Sequence, residues 1–387
     1  MAGRDQDAVA AAERLDSLDT GTYGLTIATT GSGGKALVNL AEDHGRADVA
    51  RRLKELGDAA GLDPTDRATM YGQMYTAKGD DTQTVLMHAA ACGSPAILRL
   101  VIASGVGGAL ADFDEGCRTA LCYAAEAGCG ESVRALIGAG ADPGSEDCNF
   151  TTILMSAAKG GIIETLGLVM ASGRAGPIDR VDCDGYTALH YAARAGHSGA
   201  MRALLAAGAD ARALASGRTC LMLAAASGSA DAVSLVLSAD PEGDINATDA
   251  RCATALHCAL EVLPLSDRDS FLSVVRVLVA AGADCAARMD TGETPLMMAA
   301  RNGCASSVDA LLTSGRCGDT EAGSHGDSGQ SALHLAAQSG SKRAIQRLLQ
   351  AGADASSAGP DGSTLLMSAA ASGRAGAVEA ALAATGR

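Results

Sequence analysis

A glycine-rich stretch that ends in lysine, Gly31-Ser32-Gly33-Gly34-Lys35, carries the residue types of a loop that cradles nucleotide phosphates with backbone amides. That chemistry also requires a Gly where Thr29 stands and a Ser or Thr where Ala36 stands. It needs a buried strand just ahead, and Leu25-Thr26-Ile27-Ala28 is a short candidate. The stretch therefore reads as a flexible linker, with a nucleotide-binding enzyme using Gly31–Lys35 as the minority alternative. Cys252, His257 and Cys258 come nearest to a metal-ligand cluster. However, the register of the chain puts His257 and Cys258 on one helix and Cys252 on the segment before it, and no second pair stands close by. His190, His257 and His334 have no nucleophile or carboxylate that the register places beside them for acid–base work. The patterns of protein kinases, serine hydrolases, zinc proteases and base deaminases are missing from the sequence. The reading is thus no catalytic residues, no cofactor and no metal.

What organises the chain is a repeat. Thr84-Val-Leu-Met-His-Ala-Ala-Ala-Cys-Gly93 recurs as Thr119 to Gly128, Thr152 to Gly161, Thr187 to Gly196, Thr219 to Gly228, Thr294 to Gly303, Ser331 to Gly340 and Thr364 to Gly373, with a variant at Thr254-Ala-Leu-His-Cys-Ala-Leu260. The copies start 32 to 40 residues apart, the period of a solenoid. Each position has a physical task. Thr187 is placed to cap a short helix with its hydroxyl, and Pro295 sits where a first helical residue has no amide hydrogen to lose. Leu189 points into the stack, and Ala192 and Ala193 are small enough for helices to approach closely. Gly196 closes the helix in the left-handed conformation. A second helix with Ala200, Met201, Leu204 and Leu205 at helical spacing ends at Gly208, in a Gly-Ala-Asp that recurs at 140–142, 282–284 and 352–354. Polar, turn-rich segments such as Asp182-Cys-Asp-Gly-Tyr186 lead to the next Thr and suit hairpin-like fingers.

Asp184-Gly-Tyr-Thr-Ala-Leu-His-Tyr-Ala-Ala-Arg-Ala-Gly196 closely resembles the ankyrin-repeat motif, and the likeness covers about four-fifths of the chain. Met87, Met155, Met222, Met297 and Met367 depart from it, standing where the family usually has His, a feature similar to ankyrin-only proteins of unicellular eukaryotes. The resemblance implies an all-α ankyrin-repeat solenoid of stacked helix-turn-helix units with short hairpin-like fingers. It implies that His190, His257 and His334 bond to the backbone of a neighbouring finger. It also implies a non-enzymatic scaffold or adaptor that binds proteins on the concave face made by fingers and first helices. An inhibitory or targeting subunit of a kinase, phosphatase or cytoskeletal complex is the alternative. The residue before the capping Thr commonly contributes to that face, and here it varies: Gln83, Arg118, Thr151, Tyr186, Arg218, Ala253, Glu293, Gln330 and Ser363. Of these Arg118, Tyr186, Arg218, Glu293 and Gln330, together with Arg251, are the candidate partner-binding residues, Tyr and Arg being enriched among interface anchors. Asn246 occupies the place where some ankyrin proteins are hydroxylated.

The expected organisation is an N-terminal capping helix and linker over 1–35 and an array over 36–387. The array comprises a worn repeat at 36–57, an irregular connection at 58–80 and nine repeats from 81 to 387. The repeat starting at Thr254 holds seven extra residues near 261–270. Pro264 is expected to stop its first helix, and Phe271 to ride on a lengthened second helix that projects away from the fingers. With 48 % hydrophobic but only 2 % aromatic residues and no Trp, the core must be Ala, Leu, Val and Met. A formal net charge of −15 repels nucleic acid and anionic membrane and would steer in basic protein surfaces. No apolar stretch has the length of a membrane span, and the first residues lack a secretory core, so the expected location is cytoplasmic, with cytoskeletal association open. The twelve Cys, with no C-x-x-C pair, read as free and mostly buried thiols. The array is expected to be monomeric.

Overall fold

The computed structural model describes residues 83–105, 108–261, 268–314, 330–359 and 361–386. The capping helix, linker, worn repeat and connection expected before residue 81, Gly31–Lys35 included, lie outside them, as do 262–267 of the insertion. Backbone packing divides the chain at Cys183 into two compact units. In the first, helix pairs α1 Val85–Ala91 and α2 Pro95–Ser104, α3 Ala120–Glu126 and α4 Gly130–Ala139, and α5 Ile153–Gly160 and α6 Ile163–Ala171 follow one another. In the second the pairs are α7 Ala188–Arg194 and α8 Ser198–Ala206, α9 Cys220–Ala226 and α10 Ala230–Ala239, α11 Ala255–Glu261 and α12 Arg268–Ala280. They continue with α13 Pro295–Arg301 and α14 Ala305–Thr313, α15 Ala332–Gln338 and α16 Lys342–Gln350, and α17 Leu365–Ala371 and α18 Ala375–Thr385. Within each unit first helices pack on first helices and second helices on second, which is the layering of an all-α repeat solenoid.

The repeat residues perform the tasks their types suggest. Thr84, Thr152, Thr187, Thr219, Thr294, Ser331 and Thr364 each accept a hydrogen bond from the backbone N–H three residues on. Thr119 does not, its hydroxyl standing 3.6 Å from the Cys122 sulfur. Leu121, Ala124, Ala125, Leu189, Ala192 and Ala193 are buried, and the helix-ending Gly196 has φ +73°. The Thr187 N–H donates to His190 Nδ1 at 3.1 Å, and in two of the Met copies a sulfur replaces that nitrogen: the Thr84 and Thr152 N–H groups donate to Met87 and Met155 Sδ, each at 3.4 Å. Residues on α12 make it thirteen long against nine to eleven for the other second helices of its unit. Phe271 does not project. It is buried, with its ring so placed that a Cβ on Gly228 would lie 3.1 Å from Phe271 Cζ, so this part of the insertion packs back on the preceding repeat.

Candidate functional site

Five of the described fingers are each built by one short hairpin with a three-residue loop. Asp114 and Arg118 pair by backbone (N–H to O 3.2 Å), as do Asp147 and Thr151, Asp249 and Ala253, Met289 and Glu293, and Gly359 and Ser363. A three-residue loop of this kind needs its last residue, two before the capping Thr, in the left-handed region. Gly292 and Gly362 meet that need at φ +75°. Cys117, Phe150 and Cys252 stand in the same place with φ +58°, +60° and +56°, where an L residue is sterically strained. Those three loops share a compensating device, a carboxylate that accepts backbone amides. Asp114 Oδ1 accepts from Arg118, Asp147 Oδ1 from Asn149 and Thr151, and Asp249 Oδ1 from Arg251 and Ala253, all at 2.7 to 2.9 Å. Neighbouring fingers are joined by single backbone bonds, Cys148 N–H to Gly116 O at 3.0 Å and Cys183 N–H to Asn149 O at 2.9 Å in the first unit, and Asp290 N–H to Arg251 O at 3.0 Å in the second.

Models of the family described as ankyrin repeats match residues 37–147, 121–215, 263–359 and 317–386, and a single-repeat model matches 216–250. The chain belongs to the ankyrin-repeat family. Similar solved structures include the human ASB11 ankyrin repeat domain, 25 % identical, covering 59 % of this chain and 96 % of that one with TM-score 0.49. The ankyrin repeat domain of Bcl-3 is 27 % identical, covering 58 % of this chain and 96 % of that one with TM-score 0.42. No curated protein matches the sequence. Ankyrin repeats generally mediate protein–protein interaction, so the fingers of this ankyrin protein are its candidate site.

The sequence-predicted residues do lie on or beside the fingers, but most are engaged within the chain. Arg118 pairs with the buried Asp114 at 3.1 Å, lies over the Tyr123 ring at 4.5 Å and reaches its hydroxyl. Tyr123 donates to Asp114 Oδ2 at 2.6 Å and accepts from Gln83 Nε2 at 2.7 Å, so Gln83 belongs to the same network. Burial pushes the Asp114 carboxyl up, yet the bonds from Tyr123 and Arg118 outweigh it and hold the group below its ordinary value. Arg218 and Arg251 both face the buried Asp249, at 3.6 and 3.9 Å, and Arg251 makes a two-pronged pair with Glu261 at 2.8 and 2.9 Å. Its hydrogen bonds lower the Glu261 pKa and raise that of Arg251 itself. Glu293 pairs with Arg301 at 3.0 Å. Tyr186 is half-buried between the His190 and Tyr191 rings, at centroid distances of 5.9 and 5.6 Å. Gln330 is half-buried, and Ala253 is fully buried and presents nothing to a partner. Asn246 Oδ1 accepts from the Asp284 N–H at 2.8 Å and so ties two repeats together.

The histidines and thiols are placed likewise. His190 Nε2 lies 3.0 Å from Ala213 O and His257 Nε2 3.3 Å from Glu293 O, each imidazole spanning from its own helix cap to the next finger. His334 bonds Ser331 through Nδ1 at 2.8 Å, while its buried Nε2 has no partner among the described residues. His257 is held below its ordinary pKa by burial, and Cys258 is pushed up to about 11 by burial, whereas Cys252 is exposed on the finger. The three are not brought together, and among the described residues no group of His, Cys, Asp and Glu is arranged to hold a metal ion. Among the described residues no helix is long and apolar enough to cross a membrane. The eleven described Cys are thiols outside any disulfide, but the expectation that they are mostly buried needs correction. Only Cys122, Cys220, Cys258, Cys285 and Cys304 are, and Cys148, Cys183 and Cys252 are exposed on fingers, where turns leave side chains no core to enter.

Sequence reasoning missed the exposed apolar residues of the first unit's fingers. Phe113 is 65 %, Phe150 53 % and Val181 48 % exposed. The signal for Phe150 was available: the register puts it where five other copies carry Gly.

Proposed function

We propose that this chain is a non-enzymatic scaffold or adaptor whose first-unit fingers bind a protein segment that presents apolar side chains flanked by Lys or Arg. The observation that carries the reading is Phe150. It is a large, half-exposed ring held in a left-handed conformation that costs an L residue about 1–2 kcal/mol, where glycine would serve the turn better. Strain retained at such a place points to use rather than to folding. Phe113 on the preceding finger enlarges the apolar surface, and Arg180, over the Phe150 ring at 6.0 Å and paired with Glu146, steadies it. The exposed Glu115, Asp142 and Asp179 give this surface its acidic rim, complementary to a basic partner. The family's interaction role and the charge of −15 support the same reading. An inhibitory or targeting subunit would use the same surface on a kinase, phosphatase or cytoskeletal partner. The reading further takes residues 36–387 as one array of a worn repeat and nine full ones behind an N-terminal capping segment, acting in the cytoplasm.

The test is an array of synthetic peptides alternating Leu or Phe with Lys or Arg, beside matched peptides with Glu in place of the basic residues. The wild-type chain should bind the basic–apolar set in a salt-sensitive way, and Phe113→Ala and Phe150→Ala should each weaken binding at least several-fold. Equal binding of acidic and basic sets, or ring variants that bind normally, would overturn the proposal.

A further inference from the structure

We infer that Cys117 and Cys148 form an inter-finger dithiol that closes reversibly to a disulfide when a peroxide-class oxidant reaches the first unit. The two thiols flank the single backbone bond that joins their fingers: Cys148 donates its N–H to Gly116 O at 3.0 Å, and Cys117 is the next residue along. Standard bond lengths then keep their Cα atoms within about 7 Å of one another, which overlaps the span a disulfide bridges. The register makes this junction special. At the three bonded junctions the residue two before one capping Thr neighbours the residue four before the next, and at the Arg251–Asp290 junction those positions hold Cys252 and Asp290, which cannot pair. Cys183 stands four before its own Thr, as Cys148 does, so the same ladder sets it one residue further from Cys148 than Cys117 is.

Accessibility assigns the order of events. Cys148 is exposed and Cys117 half-buried, and both are free. The Cys148 thiolate attacks hydrogen peroxide, forming an S–O bond as the O–O bond breaks, and hydroxide leaves and takes a proton as water. The Cys117 thiolate then attacks the sulfenic sulfur, forming the S–S bond and expelling hydroxide, which is protonated to a second water. Two thiols lose two electrons and one peroxide is reduced to two waters. Cys117 lies in the Phe113 finger and Cys148 in the Phe150 finger, so closure fixes the spacing of those rings. That consequence rests on the binding role proposed above, whereas the disulfide itself does not.

The experiment uses the full chain, reduced, exchanged out of reductant and exposed to equimolar hydrogen peroxide, with peptide mapping under non-reducing conditions. The expected result is a linked pair containing Cys117 and Cys148 as the main product, reversed by dithiothreitol. Cys117→Ser should leave Cys148 trapped as a dimedone adduct, and Cys252→Ser should leave the link unchanged. A wild-type chain in which Cys148 accumulates as the dimedone adduct without a link, or in which Cys148 joins Cys183 instead, overturns the inference. The linked pair appearing without any change in peptide-array binding would remove the consequence for the rings and leave the disulfide standing.

Discussion

Replacing Phe150 separates what folding prefers from what binding uses. In Phe150→Ala the ring is lost but the residue stays left-handed, so the backbone strain remains. The ring is 53 % exposed and its cation–π partner lies at the 6.0 Å limit of that interaction, so its removal should lower stability by less than about 1 kcal/mol. In Phe150→Gly the strain of about 1–2 kcal/mol is relieved. Against it stands the extra freedom of glycine in the unfolded chain, about 0.4–1 kcal/mol. The Gly variant should therefore be more stable than the Ala variant by roughly 0.5–1 kcal/mol, a factor of about two to five in the unfolding equilibrium. Both should lose peptide binding to the same extent, because both lack the ring. Urea unfolding with unchanged slope reads the first quantity as a shift in midpoint, and the peptide array reads the second. A Gly variant less stable than the Ala variant would show that the turn is not strained at this residue. A Gly variant that binds like wild type would show that the ring is not an anchor.

Leu189→Ala removes a fully buried side chain and should destabilise by roughly 2–5 kcal/mol, whereas Tyr186→Ala removes a half-buried ring that touches the His190 and Tyr191 rings and should cost about 0.5–1.5 kcal/mol; equal melting-temperature losses would contradict the placement. Gly228→Ala and Gly93→Ala impose similar left-handed strain, φ +78° and +71°, but only the first meets a ring, Phe271, so it should lower the melting temperature clearly more, and Phe271→Leu should narrow the gap. Asp114 has a folded pKa held below its ordinary 3.8, so its contribution to stability is complete above that value and is lost as pH falls through the lower folded one. Asp114→Asn should accordingly melt lower than wild type at pH 7, with the difference shrinking between pH 4 and pH 2; a constant difference would refute the linkage.

The frame of the fold was readable because each of its residues acts locally. Thr187 caps its own helix, Ala192 and Ala193 let one neighbour approach, and Gly196 ends the turn, so type and spacing sufficed. The candidate surface was less readable, since exposure before the capping Thr is decided by contacts from other elements. Residue type alone makes Arg218 and Arg251 interface anchors, but both turn toward Asp249, which belongs to the next finger from Arg218 and to the same finger as Arg251. Ala253 is buried although its equivalents are not. The Met copies show the same dependence on neighbours. Met297 is 1 % exposed and Met367 60 %.

The exchange of Met for His along the repeats bears on how the second unit yields under load. The imidazoles of His190 and His257 have a second nitrogen that reaches the following finger. A thioether has no counterpart, so the repeats holding Met222 and Met297 lack that strut. Stiff and compliant junctions therefore alternate from His190 to Met297, and the His334 repeat, whose Nε2 has no partner among the described residues, lacks the strut as well. Tension or a probing protease should part the unit first behind Met222, Met297 and His334, leaving the repeats behind His190 and His257 joined to their neighbours.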